Sequence, residues 1–187
     1  QSLTPETRIV ALMLVNNEIG SVNDIAALAP FIRRCSPRAR LVVDAVQAFG
    51  KQPFDVNQLD ADYVSIAAHK LHGPKGIGAL WHRRPIRPIL RGGGQEGGRR
   101  GGTQSATLAW GFAEAAERQL GSMNRVSGLC LRLWEQIRNE LPDATLNGPS
   151  FGPNRICNNV HVCIPGIPSE PLINALSAAN LCASGGS

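Results

Sequence analysis

The run IVALMLV, residues 9–15, closed by Asn16 and Asn17, decides how the rest of the chain is read. Seven apolar residues in succession, ended by turn-forming asparagines, fit a strand buried on both faces, as in a parallel sheet. Just downstream, Asn23 and Asp24 offer side-chain acceptors for a helix start, and Ile25, Leu28, Ala29 and Ile32 recur on one helical face. Pro30 lacks an amide hydrogen and is expected to kink or shorten that helix. Residues 41–43, ending at Asp44, form a second apolar run. Strand, helix and strand in this order make a βαβ unit, so the two strands are expected to be parallel.

Outward from this unit, residues 62–67 and 77–81 read as short strands separated by the loop AHKLHGPKG, residues 68–76. A glycine-dense stretch follows, RGGGQEGGRRGGT at residues 91–103, and then helix-forming sequence from 104 to 120. Val126, Leu129, Cys130, Leu133, Ile137 and Leu141 make a long apolar stripe, expected to face a core. Pro142, Gly148, Pro149, Gly152 and Pro153 mark a loop. Val160, Val162 and Ile164 alternate as a half-buried strand, and Ser169 is expected to cap a short helix running to about Asn180. The pattern changes near residue 125, which divides the chain into an α/β part, residues 1–125, and the start of a smaller α+β part, residues 126–187.

Composition narrows the class. A hydrophobic content of 43% can fill a core, and 18% charge is low for a disordered chain. No apolar run approaches the ~20 residues needed to cross a bilayer, and the opening residues QSLTPETR lack the apolar centre of a signal peptide. The five cysteines are scattered and form no CxxC pair, which argues against a disulfide framework and a zinc site and suits a reducing compartment. A cytoplasmic location is expected, or the mitochondrial matrix in a eukaryote. The net charge of +5 comes partly from six arginines between Arg83 and Arg100. One unrepeated arginine–glycine stretch with no aromatic inside it is a weak nucleic-acid signal. No direct nucleic-acid binding is expected.

Open α/β sheets bind ligands beyond the carboxyl ends of their strands. Asn17 follows the first strand there, Asp44 ends the second with Gln47 one turn on, and His69 and Lys70 follow the third. Singly each has an ordinary explanation as a cap, a turn residue or a solvated charge. His69 and His72 have helix-face spacing but sit in a loop without a third ligand, so no metal is expected. The phosphate-loop spacing GxxxxGK is absent. A lysine, a carboxylate and a glycine-rich anion-binding surface together meet the needs of pyridoxal 5′-phosphate (PLP): an amine for a Schiff base and a carboxylate to keep the pyridine nitrogen protonated.

The strings VNNEIG (15–20), VDAVQAFGK (43–51), AHKLHGPKGIGALW (68–81) and GGGQEGGRRGGT (92–103) resemble those of cysteine desulfurases of the NifS/IscS type, class V aminotransferase-like PLP enzymes of fold type I. The resemblance implies the central part of the PLP-binding large domain, a mostly parallel sheet with flanking helices, followed by the beginning of a small domain. It implies Lys70 as the Schiff-base lysine, Asp44 at the pyridine nitrogen, Gln47 and Asn17 near the phenolic oxygen, and His69 at the phosphate. Thr103 would reach the phosphate site of a second subunit, which makes a homodimer. L-cysteine would be converted to L-alanine, its sulfur passing to an enzyme cysteine thiolate and on to a sulfur-acceptor or scaffold protein for iron–sulfur clusters or thiolated tRNA. Selenocysteine lyase, or another class V lyase or aminotransferase, would use the same cofactor residues.

Two positions depart from the pattern. Ala67 stands where relatives carry a phosphate-binding Ser or Thr, and Gly101 replaces the serine of their RSGT motif. The tail ASGGS, residues 183–187, resembles the beginning of the loop that carries the acceptor cysteine, so the chain is expected to be an internal piece without that cysteine. Cys182 is expected to be a small buried residue. Trp81, Trp110 and Trp134 are expected to be packing residues.

Overall fold

The computed structural model describes residues 2–120 and 122–186. They form two compact units: Gln1–Val15 with Asn23–Met123, and Asn16–Val22 with Asn124–Ser187.

The first unit is built on a four-stranded sheet of β1 (Ile9–Met13), β2 (Arg40–Asp44), β3 (Tyr63–Ala67) and β4 (Gly78–His82), in that spatial order. β1, β2 and β3 are parallel, with Leu12 opposite Val43 and Asp44 opposite Ser65; β4 returns antiparallel, with Ala67 opposite Gly78. Between β1 and β2 runs α1 (Ile25–Cys35), so the βαβ unit forms as its sequence requires. Asp24 caps α1 by accepting the Ala27 amide at 3.0 Å, and Ile25, Ala29 and Ile32 are its buried face. Pro30 neither ends nor shortens the helix, which continues to Cys35. The ring removes one intrahelical bond, and a capped start with three buried side chains holds the helix across it. Leu41, Val43, Val64 and Ala45 form the sheet's share of the core.

The expectation of a first strand buried on both faces is not met. β1 is an edge of this sheet, Ile9 is 66% exposed, and only Leu14 and Val15, beyond the strand's end, are buried. Apolar composition makes double burial affordable to a strand; it does not supply the covering layers.

After β3 the chain makes a short 3₁₀ turn, Ala68–Leu71, and later a longer helix, α2 (Ala106–Leu120). Ala68, Leu71 and Phe112 form a buried cluster joined by Phe49, Ile66, Ile77, Ala115 and Ala116, which seats the 3₁₀ turn on α2. The Phe49 ring stands edge-on to Phe112 at 5.9 Å and to Phe54 at 6.5 Å. Trp110 lies on the other side of α2 and is exposed, contrary to the packing role expected of it.

The second unit holds α3 (Met123–Glu140, its first residue counted with the first unit), a two-stranded antiparallel ladder of β5 (Thr145–Leu146) and β6 (Val162–Cys163), and α4 (Ser169–Ala178). The strand expected across 160–164 is thus only two residues long. Ser169 is the first residue of α4, and Pro168 holds the cap position without a side-chain bond. The core-facing stripe of α3 is also corrected: α3 has no buried residue, and Leu129 and Leu133 are about half exposed. Cys182 lies beyond α4 and is exposed rather than buried.

Candidate active site

At the amino end of the sheet the charges are closed among themselves. Asp62, at the entrance to β3, is only 1% exposed and accepts from the Leu41 amide at 2.8 Å, from Arg33 Nη1 at 2.8 Å and from Arg84 Nε at 3.1 Å. Asp60 accepts from Arg83 at 2.6 Å and from Arg33 Nε at 3.4 Å. Burial alone would raise the Asp62 carboxyl, but the hydrogen bonds from Arg33, the Leu41 amide and Arg84, with the Arg33 charge, hold it below the usual carboxylate range. Burial pulls the Arg33 guanidinium down, and Asp62 and Asp60 more than reverse this and leave it raised.

The carboxyl end is open. Asp44 closes β2, and its Oδ1 accepts the Val46 amide at 2.9 Å, an Asx turn that starts the next segment. Among the described residues Oδ2 has no partner. Residues 45–52 then wind with helical bonds, Phe49 to Ala45 at 2.8 Å and Gln52 to Ala48 at 2.9 Å. Gln47 rides on this turn, and Lys51 Nζ donates to its Oε1 at 3.0 Å. On the adjacent parallel strand β3, the Ser65 carbonyl accepts the Ala45 amide at 2.9 Å, and the 3₁₀ turn carrying His69 and Lys70 begins two residues after Ser65's neighbour Ile66. Both side chains are exposed, and among the described residues neither makes a hydrogen bond or ion pair. His72 ends the turn in the left-handed region, φ 61°, with its amide bonded to Ala68 O.

Asp44, Gln47, His69 and Lys70 are therefore brought to one edge by two neighbouring parallel strands, separated there by a strand spacing of about 4.8 Å. Thr103 lies elsewhere in the same unit, in a recess of about 810 Å³ lined with Gly76, Gly78, Arg99, Arg100 and Ser105. An apolar cavity of about 550 Å³ between Phe49, Phe54, Val64, Ile66 and Trp81 contains none of the candidate residues. Its walls suit a packing partner better than a polar reactant.

Asn17 belongs to the second unit, in the excursion Asn16–Val22. Asn16 Oδ1 accepts the amides of Glu18 and Ile19, each at 2.9 Å, and Gly20 takes φ 69° to turn back. A Cβ on Gly20 would sit 2.7 Å from the Asn159 side chain, so the turn depends on glycine. Asn159 Nδ2 donates to the Glu18 carbonyl at 2.6 Å, while its Oδ1 accepts from Arg155 Nη1 at 2.7 Å. Arg155, 4% exposed, also donates to the carbonyls of Pro149 and Asn147 and lies over the Phe151 ring at 5.8 Å. Burial pushes its guanidinium down from the ordinary arginine value. In the same unit burial, and to a smaller extent the neighbouring Cys157, push the Cys130 thiol up, which makes it a poor nucleophile at neutral pH.

Neither Lys51 nor Arg155 was picked out from the sequence. For Lys51 the available signal is its four-residue spacing from Gln47 on a helical turn. For Arg155 there is none, because its acceptors are mostly backbone carbonyls, with the Asn159 side chain the one exception named above.

The free amine, the half-used carboxylate and the amide fit PLP by their chemistry: one attachment group, one partner for a protonated ring nitrogen and one donor for an anionic oxygen. The family model "Aminotransferase class-V" matches residues 1–187. Over 192 residues the chain is 39% identical to "Probable cysteine desulfurase, mitochondrial" of Dictyostelium discoideum, covering 98% of this chain and 42% of that protein. A solved structure named "NIFS-LIKE PROTEIN" superposes with a TM-score of 0.86 at 33% identity, over 98% of this chain and 51% of that one. "SspA in complex with cysteine" superposes with a TM-score of 0.76 at 28% identity, over 100% of this chain and 51% of that one. The chain thus spans about half the length of the relatives it matches. No helix among the described residues is long and apolar enough to cross a membrane. With its parallel-dominated sheet matching the NifS-like, fold-type-I structures, the chain belongs to the class V aminotransferase family, whose members are in general PLP-dependent.

Proposed function

We propose that this chain supplies the lysine-bearing part of a PLP-dependent cysteine desulfurase. The observation that carries the proposal is the emergence of Asp44 and Lys70 from the carboxyl ends of adjacent parallel strands, one with an uncommitted carboxylate oxygen and the other with an uncommitted amine. The chain has three lysines, Lys51, Lys70 and Lys75. Lys51 is engaged with Gln47, and Lys75 lies beyond the turn between Pro74 and Gly76, which favours Lys70 as the lysine that would hold the cofactor.

In this proposal Lys70 attaches the cofactor and Asp44 faces its ring nitrogen. Gln47 and Asn17 serve the phenolic oxygen and the substrate carboxylate, and His69 contacts the phosphate. When bound, PLP supplies a protonated pyridine ring that withdraws electron density from the substrate Cα. The Asp44 carboxylate would keep that nitrogen protonated, its Oδ1 being held by the Val46 amide and its Oδ2 left available for the cofactor. The Lys70 amine, on a turn seated against Phe112, is the group positioned to carry a proton to and from the substrate Cα. The net reaction is L-cysteine plus an enzyme thiol giving L-alanine plus an enzyme persulfide: the substrate C–S bond breaks, an S–S bond forms, and the thiol proton is returned to carbon. L-cysteine as substrate is supported by the relatives named desulfurases and by the neighbour solved with cysteine.

In this reading residues 1–125 belong to the second half of the large domain and residues 126–187 to the start of the small one, although the compact units group Asn16–Val22 with the latter. Thr103, in its arginine-flanked recess, serves the phosphate of a second copy, and the persulfide sulfur passes to an acceptor or scaffold protein for iron–sulfur clusters. The test is borohydride reduction of the PLP-treated protein followed by mass spectrometry. Lys70 should carry the label; labelling of Lys51 or Lys75 in its place would overturn the assignment. Alanine formation from L-cysteine by the full-length protein then tests the reaction itself.

A further inference from the structure

The turn after β2 contains a cation for which the proposed chemistry has no stated use. Lys51 and Gln47 are four residues apart on the helical winding of 45–52, both half-buried, with Lys51 Nζ donating to Gln47 Oε1 at 3.0 Å. An ammonium can only donate, whereas a carboxamide has an accepting end and a donating end. Lys51 can therefore hold Gln47 in one orientation only. The oxygen is taken, and Nε2, which has no partner among the described residues, is left as a pure donor.

This turn is fixed against the one that carries Lys70. Gly50 adopts φ 74°, and a Cβ placed on it would lie 2.8 Å from Leu71 Cδ2, next in sequence to Lys70. Phe49 is held edge-on between Phe54 and Phe112. The amide orientation set by Lys51 is thus delivered on a rigid support beside the lysine turn.

We infer that Lys51 is a positioning residue: it locks the Gln47 carboxamide so that Nε2 donates to the anionic phenolic oxygen of PLP. The inference rests on the proposed cofactor site and adds to it the group that selects the polarity of Gln47. With the cofactor bound through Lys70, the proton on the Lys70 nitrogen would be shared with that phenolic oxygen. A donor to the oxygen would draw electron density from it, weaken its hold on the proton and lower the pH at which the nitrogen loses it.

The test is the visible-absorbance pH titration of the bound cofactor in the full-length holoprotein. Lys51→Met frees the amide to rotate and should raise the midpoint by about one pH unit, the size expected for losing one hydrogen bond to a charged acceptor. Lys51→Arg, which keeps a donor-only cation, should restore a midpoint close to the parent's; a merely structural lysine would give no such rescue with a spectral readout. Gln47→Ala should raise the midpoint, and adding Lys51→Met to it should raise it no further. If Lys51→Met has its full effect without Gln47, the ammonium acts directly by its charge and the inference is overturned. It is also overturned if Gln47→Ala moves the midpoint while Lys51→Met leaves it in place. If Gln47→Ala itself changes nothing, the placement of Gln47 in the cofactor site fails first. Lys51→Gln, which can present either end to Gln47, covers the case in which Lys51→Met does not fold; it should give an intermediate rise, and none would count against the lock.

Discussion

The two ends of the sheet use charge in opposite ways. At the amino end Asp62 is buried, and its carboxylate oxygens are satisfied by two arginines and a backbone amide, with Asp60 and Arg83 completing the network. At the carboxyl end His69 and Lys70 are exposed and without a partner among the described residues, and Asp44 has one oxygen uncommitted. A closed network holds strands together. An open one leaves binding capacity for something that is not the protein. Substitutions at the two ends should therefore separate stability from function.

The largest contrast is expected at Lys70. Lys70→Ala should abolish covalent PLP labelling altogether, read by mass spectrometry after borohydride reduction. It should change unfolding stability by no more than about 0.5 kcal/mol, because an exposed, unpartnered side chain contributes little. Arg33→Met at the other end should do the reverse. Removing one partner of a buried pair costs about 3–5 kcal/mol, and the lower end applies here because Arg84 and the Leu41 amide still hold Asp62. Urea unfolding should show the loss. A variant as unstable at Lys70 as at Arg33 would erase the distinction between the two ends.

Much of this layout was legible in the sequence, and the parts that were not share a cause. The βαβ unit could be read because each of its signals is local: an apolar run, the Asp24 cap, the one-sided spacing of Ile25, Ala29 and Ile32. Asp44 and Lys70 could be placed because a residue at the end of a strand inherits its position from the strand. The amino-end network could not be read, since Arg33 lies 27 and 29 residues from Asp60 and Asp62 and no pattern announces charges meeting across a fold. The stripe on α3 was read correctly as periodicity and wrongly as burial. A period says which face needs cover, and the residues that would provide the cover are a separate question. Pro30 does not shorten α1 because a strong cap and three buried neighbours outweigh one lost bond.

Acid should sharpen the comparison further. The folded Asp62 carboxyl is held below its ordinary value of about 3.9, so its contribution to stability is complete above that value and is lost as pH falls toward and through the folded one. Urea midpoints of the parent protein should drop more steeply below about pH 4 than those of Asp62→Asn, which has no such proton to take up. Equal slopes would mean that the arginines do not depress this carboxyl.

The smallest effect expected is a gain at the open end. Ala67, the last residue of β3, stands where the resembled family carries a phosphate-binding hydroxyl, and its backbone is extended, φ −141° and ψ 144°. That conformation suits a β-branched residue. Across the ladder stands Gly78, which presents no side chain to the substituted position. Ala67→Thr can thus add a hydroxyl with little strain, and a hydrogen bond to a charged phosphate, at about 1.5–3 kcal/mol, would tighten PLP by roughly tenfold or more. Titration of the protein with PLP, followed by absorbance, measures the dissociation constant, and the melting temperature without PLP should stay where it was. Tighter PLP binding with unchanged stability would show that the carboxyl end is tuned for the cofactor alone. Unchanged binding would place the phosphate away from the end of β3 and would remove His69, two residues further along, from its proposed contact.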